Sequence, residues 1–429
     1  MTRPKANDSI EVLTIGDEIL SGTIVDTNSS LIAQKLGAMG LEVRRMGSVG
    51  DSEEDIVDEL LSASRRARAV IVTGGLGPTQ DDRTAQAAAR AFGRNLVLHE
   101  ESLRRIRELF QSLGLEMTPN NERQAWVPEG STVIPNPMGT APGFCLEAND
   151  CILIFLPGVP RELEKMLDES VVPMLSKRLA PKLCISSRTL RLFGIAEAKI
   201  DHLVKGALKG LEGVSLASLP QYPENRLRIT VRAKGEKEAS SLLAEAERLL
   251  RERVGRWVYG TDDEDMESLV LALMRKRGLK LTLAESCTGG LIAHRLTNVP
   301  GASEVLERCY VVYSEEAKVE LGVDRSLIDR HGVVSAQVAE AMAARAASRV
   351  PGSVGLSTTG VAGPTGGSEE IPVGTVFIGL SSQEGTWSQR FRFRGGRGNV
   401  KTLASTVALD WLRRYLLGED PQEYTVPWR

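Results

Sequence analysis

Histidine and aromatic side chains are scarce in this sequence. Of 429 residues only four are His (His99, His202, His294, His331), and aromatics make up 4%. A His-rich metal centre is therefore disfavoured, because such sites draw on closely spaced imidazoles. Disulfide pairing is disfavoured too: Cys145, Cys151, Cys184, Cys287 and Cys309 are odd in number, scattered and without a CxxC pair, which reads as reduced thiols. No run of about 18 apolar residues occurs, and the polar opening MTRPKANDSIEV has no signal-peptide core, so a cytoplasmic protein with no membrane association is expected. A formal charge of -3 leaves no excess of basic side chains to neutralise a nucleic-acid backbone, and nucleic acid is not an expected partner.

Strand and helix signals alternate instead, over a length that calls for more than one core. IEVLTIG reads as a strand, TNSSLIAQKLGAMG as a helix capped by Thr27 or Asn28, LEVRRMGSVG as a strand, and SEEDIVDELLSASRRA as a helix opened by Ser52 and Asp55. ARAVIVTGG then runs into glycines. A βαβαβ succession predicts a mostly parallel sheet covered on both faces, with ligands beyond the carboxyl ends of its strands. After residue 180 an αββα-like unit of 80 residues follows, and the polar stretch YGTDDEDMES suits either a linker or a solvated helix start. The alternation then restarts. The expected architecture is α/β: two three-layer domains, 1–180 and 261–429, joined by a small α+β domain, 181–260.

Three loops of the first domain carry candidate chemistry. In TGGLGPTQDD, Thr73, Gly74, Gly75, Gly77 and Thr79 let the backbone approach a phosphate, and Asp81 and Asp82 offer hard oxygens to a divalent cation. No GK[ST] follows, so this is not a P-loop. GDEILSGTIVDTN repeats the pattern with Gly16, Asp17, Glu18 and Asn28, and FLPGVPRELEKM adds Gly158 with Arg161 for phosphate. NPMGTAPGF is a shaped loop. The paired acids could equally cap helices.

In the last domain, AESCTGG places Ser286 and Cys287 before a helix, where backbone amides of Thr288, Gly289 and Gly290 would stabilise an oxyanion. With His scarce, the base for a nucleophilic Ser would be a Lys whose pKa is lowered by burial, and Lys318 in YSEEAK qualifies, with Tyr313 as a proton relay. Cys287 is an equal rival, since a thiol at a helix N-terminus grows more acidic. Thr358, Thr359, Gly360, Gly363, Pro364, Gly366 and Gly367 would enclose a phosphate and a sugar, with Arg397 as a second phosphate partner. His331 reads as a packing or capping residue.

Taken in order, GDEILSGTIVDTN, TGGLGPTQDD, NPMGTAPGF, FLPGVPRELEKM, AESCTGG, YSEEAK and GVAGPTGGSEE resemble the competence/damage-inducible protein A (CinA) family across essentially the whole chain. The resemblance implies a molybdopterin-binding-like first domain associated with metal-dependent ADP-ribose pyrophosphatase activity. It also implies a KH-like middle domain and a C-terminal nicotinamide mononucleotide deamidase that needs no cofactor. It favours Ser286 over Cys287, with Lys318 and Tyr313 completing the catalytic group, and puts Thr359, the Gly360–Gly367 loop and Arg397 at the nucleotide. Metal ligation would fall to Asp81, Asp82 and Glu18. Two departures stand out: Glu315 occupies the place of a family Asn, and the turn before Arg397 lacks the family's Asp. A homodimer is the expected assembly. Two other classes compete: a first domain that only binds a nucleotide-like or molybdopterin-like cofactor, and a nucleic-acid accessory protein, for which the middle unit lacks an obvious GxxG loop.

Overall fold

A computed structural model describes residues 9–179 and 183–428. The chain packs as two compact units, residues 1–186 with 231–241 and residues 187–230 with 242–429, so the expected middle domain packs largely with the C-terminal part.

In the first unit β1 (Ile10–Ile15), β2 (Val43–Val49) and β3 (Ala69–Thr73) join a six-stranded sheet. A separate ribbon is formed by β4 (Leu96–Leu98) and β5 (Trp126–Pro128), and the sheet is completed by β6 (Thr132–Ile134), β7 (Gly143–Ala148) and β8 (Cys151–Leu156). The order is β2-β1-β3-β8-β7-β6, parallel through the first four and antiparallel at β7 and β6. β1 and β3 are buried at every position, as strands covered on both faces must be. The helix Glu53–Arg66 covers one face, burying Ile56, Leu60 and Ala63 at helical spacing, and Ser52 caps it by accepting from Asp55 N. Each buried Ile or Leu there contributes about 2 kcal/mol of transfer free energy.

Register sets the site. Thr14 pairs Thr73, and Thr73 pairs Leu156, so β1, β3 and β8 end level and Gly16, Gly74 and Pro157 leave the sheet along one edge. The strand order reverses between β1 and β3, the switch point where such sheets bind ligands. Gly74 has φ +109, and a Cβ on it would stand 2.1 Å from Ile15 O, so only glycine lets β3 turn there.

The second unit opens with a four-stranded sheet of β9 (Cys184–Leu192), β10 (Val214–Gln221), β11 (Glu224–Ala233) and β12 (Val258–Thr261), in the order β10-β11-β9-β12. The acidic run after β12 resolves as a helix start: Asp265 caps the helix Met266–Lys276 by accepting from Ser268 N at 2.7 Å. A five-stranded sheet follows, built from β13 (Leu281–Glu285), β14 (Leu306–Val311), β15 (Val354–Gly360), β16 (Thr375–Ser382) and β17 (Gly385–Arg392). Its order is β14-β13-β15-β16-β17, with the first three parallel and a β16–β17 hairpin at the edge. Helices Met266–Lys276 and Arg397–Leu416 pack on one face, where Val270, Leu283, Leu356, Val407 and Trp411 share a core. Helix Ala336–Ala347 packs on the other with Ala284, Val338 and Met342. Strand order reverses again between β13 and β15, and Ser286 follows β13 at that point.

Candidate functional site

Lys318 belongs to the helix Glu315–Leu321, capped by Ser314, and is 1% exposed. Its Nζ lies 3.0 Å from Ser286 Oγ and donates to Val312 O at 3.0 Å, with the carbonyls of Tyr313 and Ser314 at 3.5 Å. Burial lowers its pKa below the ordinary lysine value, against an opposing pull from Cys287 and Glu315. An uncharged amine so placed has two N–H bonds for the carbonyls and one lone pair for the Ser286 hydroxyl. Ser286 is itself buried and fixed by its amide, which donates to Thr358 O at 2.9 Å.

The rival thiol sits in a different environment. Cys287 is packed within the apolar core, and burial pushes its thiol up to about 12. A thiol held protonated is a poor nucleophile. The helix beyond it also starts later than expected, at Leu291, after Gly289 and Gly290 at φ +62 and +87. Its first amides are taken: buried Glu285 accepts from Ile292 N at 3.1 Å and Ala293 N at 2.8 Å. The helix end is therefore capped from within, and Gly289 N donates to Ser286 O at 3.0 Å, so neither is open to an oxyanion.

Tyr313 does not reach Lys318 with its hydroxyl. The side chain is 60% exposed, and Arg397 Nη2 donates to its hydroxyl at 2.7 Å while Arg397 Nη1 donates to Gly363 O at 3.1 Å. Arg397 thus joins Tyr313 to the glycine loop, in which Gly366 and Gly367 are exposed. Thr359 departs from expectation as well: its hydroxyl donates to Val333 O at 2.9 Å, on the face turned to helix Ala336–Ala347. Strand alternation puts its neighbour Thr358 on the other side, where its hydroxyl meets that of Thr288 at 2.7 Å, directly behind Ser286. Gly360 leaves no room for a side chain, since a Cβ would lie 2.6 Å from Thr375 O. Glu315 is exposed and pairs with Arg325 at 3.6 Å, and His331 ends an exposed helix turn.

In the first unit, a cavity of about 540 Å³ gathers Gly16, Glu18, Asn28, Thr73, Gly74, Gly75, Gly77, Asp81, Asp82 and Gly158. Asn28 is not the helix cap; Asp26 takes that role by accepting from Ser29 N at 2.9 Å. Asn28 instead donates to Gly158 O at 2.8 Å and Thr73 Oγ1 at 3.1 Å, tying the ends of β3 and β8 to the start of the helix Thr27–Ala38, and its Oδ1 is buried without a partner. Two expected residues lie off the cavity lining. Arg161 is exposed and absent from the lining, whereas its neighbour Glu162 is part of it. Thr79 serves the loop: its amide and hydroxyl donate to Asp82 Oδ2 at 2.8 and 2.6 Å, so one oxygen of Asp82 closes a turn.

Sequence reasoning missed Asp51. Its Oδ2 accepts from Asp17 N at 3.0 Å, and its amide donates to Asp17 Oδ1 at 3.2 Å. Burial and the negative charges of Asp17, Glu18 and Asp81 raise its pKa. The Gly-Asp pair closing β2 repeats the Gly16-Asp17 pair closing β1, a signal that was legible. Gln124 was also missed; it lines the cavity with a buried, unpartnered Oε1. Among the described residues, six carboxylates line this cavity (Glu18, Asp26, Asp51, Asp81, Asp82, Glu162) and no Lys or Arg does. No three His, Cys, Asp or Glu side chains among the described residues are grouped to hold a metal ion alone. No helix among them is long and apolar enough to cross a membrane.

Known proteins give these features a context. Residues 11–177 match the probable molybdopterin binding domain family, 187–260 the damage-inducible protein CinA KH domain, and 263–416 the CinA C-terminal domain. A CinA-like protein of Geobacter metallireducens is 46% identical over 410 residues, covering 95% of this chain and 98% of its own. One of Geotalea uraniireducens is 41% identical over 417 residues, covering 97% and 99%. A solved structure of CinA from Thermoplasma acidophilum is 34% identical, matching 41% of this chain and 99% of its own with a TM-score of 0.37. The family matches follow one another along nearly the whole chain, and the full-length relatives share that span: the chain belongs to the CinA family.

Proposed function

We propose that the C-terminal domain is an amidohydrolase that converts nicotinamide mononucleotide to nicotinate mononucleotide and ammonia. The observation that carries this reading is the buried Lys318 amine 3.0 Å from Ser286 Oγ. Neutral Lys318 takes the Ser286 proton as Oγ attacks the carboxamide carbon. The amide of Gly290 is assigned the oxyanion, Lys318 returns the proton to the departing nitrogen, and the C–N bond breaks to give ammonia and an acyl ester on Ser286. Water, deprotonated by Lys318, then attacks the ester and releases the carboxylate product. Arg397 is assigned the phosphate, with Tyr313 and Gly363 holding its guanidinium in place. Purified protein given nicotinamide mononucleotide should release ammonia stoichiometrically with nicotinate mononucleotide on chromatography. Rapid quench during turnover should show Ser286 carrying the acyl group; turnover with no adduct would replace the acyl route by direct attack of a Lys318-activated water.

A second reading rests on the first unit's acidic cavity. We infer that it hydrolyses ADP-ribose to AMP and ribose 5-phosphate with a divalent cation. A pyrophosphate meeting six carboxylates and no basic side chain would be repelled unless cations accompany it. Hard carboxylate oxygens fit a Mg²⁺-like ion held by one or two protein ligands together with substrate phosphates and water. Asp51 and Asp81 are assigned as those ligands, with Glu18 beside them; the ion, when bound, would polarise a phosphoryl oxygen. The chain's own part is to exclude bulk water, to hold the ligand against Gly74 and Gly75, and to accept its donor groups at Asn28 Oδ1. Incubation with ADP-ribose should yield AMP with metal and none with chelator, whereas tight binding without products would leave a cofactor-binding domain.

A further inference from the structure

The β10–β11 hairpin of the KH-like region turns on two residues, Tyr222 and Pro223, and its tip reaches the deamidase half of the same unit. Tyr222 donates its hydroxyl to Asn399 O at 3.4 Å, within the first turn of the helix Arg397–Leu416. That turn also carries Arg397, which grips Tyr313, and Lys401, whose Nζ stands 3.6 Å from where a Cβ would lie on Gly289. Gly289 is three residues from Ser286 and hydrogen-bonded back to it. The hairpin is held just beside its turn: Arg191 pairs with Glu224 through two nitrogens at 3.0 to 3.2 Å and donates to Glu264 O at 2.8 Å, and Asn225 donates to Ile195 O at 3.0 Å. Such an anchored tip is pre-placed rather than swung in.

Exposure makes the contact informative. Tyr222 is 57% exposed, and of the described aromatic residues only Trp126, Tyr222 and Tyr313 present large exposed surfaces. Two of those three bracket one helix turn, in a chain with few aromatics to spend on surface. A planar cation is the ligand that exposed tyrosine faces suit, through stacking and attraction to the ring's negative face.

We propose that the middle domain supplies Tyr222 to the deamidase site, where its ring packs against the pyridinium of the substrate and positions the carboxamide toward Ser286. This rests on the deamidase reading and deepens it: substrate selection is shared between the KH-like hairpin and the C-terminal domain, and favours a quaternised ring carrying a ribose phosphate. Tyr222 is a positioning and specificity residue, with no proton to move.

The test uses full-length protein and steady-state ammonia release from nicotinamide mononucleotide. Tyr222→Ala should raise KM about tenfold with kcat within twofold of wild type, and Tyr222→Phe should restore KM, because the ring face rather than the hydroxyl makes the contact. An unchanged thermal midpoint in both variants establishes that the fold is intact. A wild type inert toward nicotinamide mononucleotide removes the deamidase reading and this proposal together. An active wild type whose Tyr222→Ala variant keeps its KM removes this proposal alone.

Discussion

Lys318 Nζ stands 3.0 Å from Ser286 Oγ, and both residues are buried at the reversal point of the second sheet. The pairing is made by two separate strand ends. Ser286 is delivered by β13, and the carbonyl of Val312, just beyond β14, holds the amine against it.

Ser286→Ala should lower ammonia release by roughly 10³-fold or more, because a nucleophile and its base act as a unit. Cys287→Ala should keep turnover within a few-fold. It should cost on the order of 1 kcal/mol of stability from the volume lost in the core. Parallel assays and melts of the two variants check this; the opposite pattern of activity would transfer the nucleophile to Cys287.

Glu315 gives a handle on pH. Its negative charge favours the Lys318 ammonium and so opposes the lowering by burial. With Lys318 as the proposed base, turnover needs the neutral amine, so the rate should rise with pH through the Lys318 pKa. Removing the charge with Glu315→Gln should move that acid limb to lower pH, by a few tenths of a unit given its exposure and its distance from the amine. A pH profile of kcat/KM for both proteins reads the displacement, and a move to higher pH would reverse the assigned sign.

Burying Lys318 has a stability cost that its removal should reveal. Its folded pKa lies below the unfolded value near 10.5, so the unfolded chain binds that proton more readily. Stability therefore falls as pH drops from the unfolded value through the folded one, and below the folded pKa the penalty is complete. Lys318→Met, close in shape and uncharged, should raise stability by about 1 to 2 kcal/mol at neutral pH while abolishing turnover. Above the unfolded pKa the advantage should shrink. Urea melts at pH 7 and above pH 10.5 compare the two regimes.

The parts of this architecture written in local pattern were legible in the sequence. Glycines after β1, β3 and β13, the Ser52 cap, and a buried Lys as the base in a chain with scarce His are all local or compositional, whereas the choice of Ser286 over Cys287 came from the family resemblance. What escaped depended on tertiary neighbours. Asn28 looked like a helix cap, but a capping Asp26 freed its amide to tie β3 to β8. Thr358 and Thr359 are chemically alike, and only strand alternation decides which one faces Ser286. Tyr313 sits near Lys318 along the chain yet spends its hydroxyl on Arg397, 84 positions away. Tyr222 had no local signal at all, since its meaning comes from a helix turn 177 positions later.

Asp51 should prove as important to the first unit as the aspartates that the sequence singled out. It shares its surroundings with Asp17, Glu18 and Asp81, and burial together with their repulsion raises its pKa. A bound divalent cation relieves that repulsion, so metal and Asp51 ionisation are linked: adding metal should favour the carboxylate, and lowering pH should weaken metal binding. Asp51→Asn should reduce AMP formation from ADP-ribose at least tenfold and raise the metal concentration needed for half-maximal rate. Asp82→Asn should act more through the Thr79 turn, lowering thermal stability as well as turnover, because one of its oxygens accepts both Thr79 donors. Metal titrations of the two variants, read beside their melting curves, separate a ligand from a loop-closing residue. Equal metal dependence in wild type and Asp51→Asn would return the cation to Asp82.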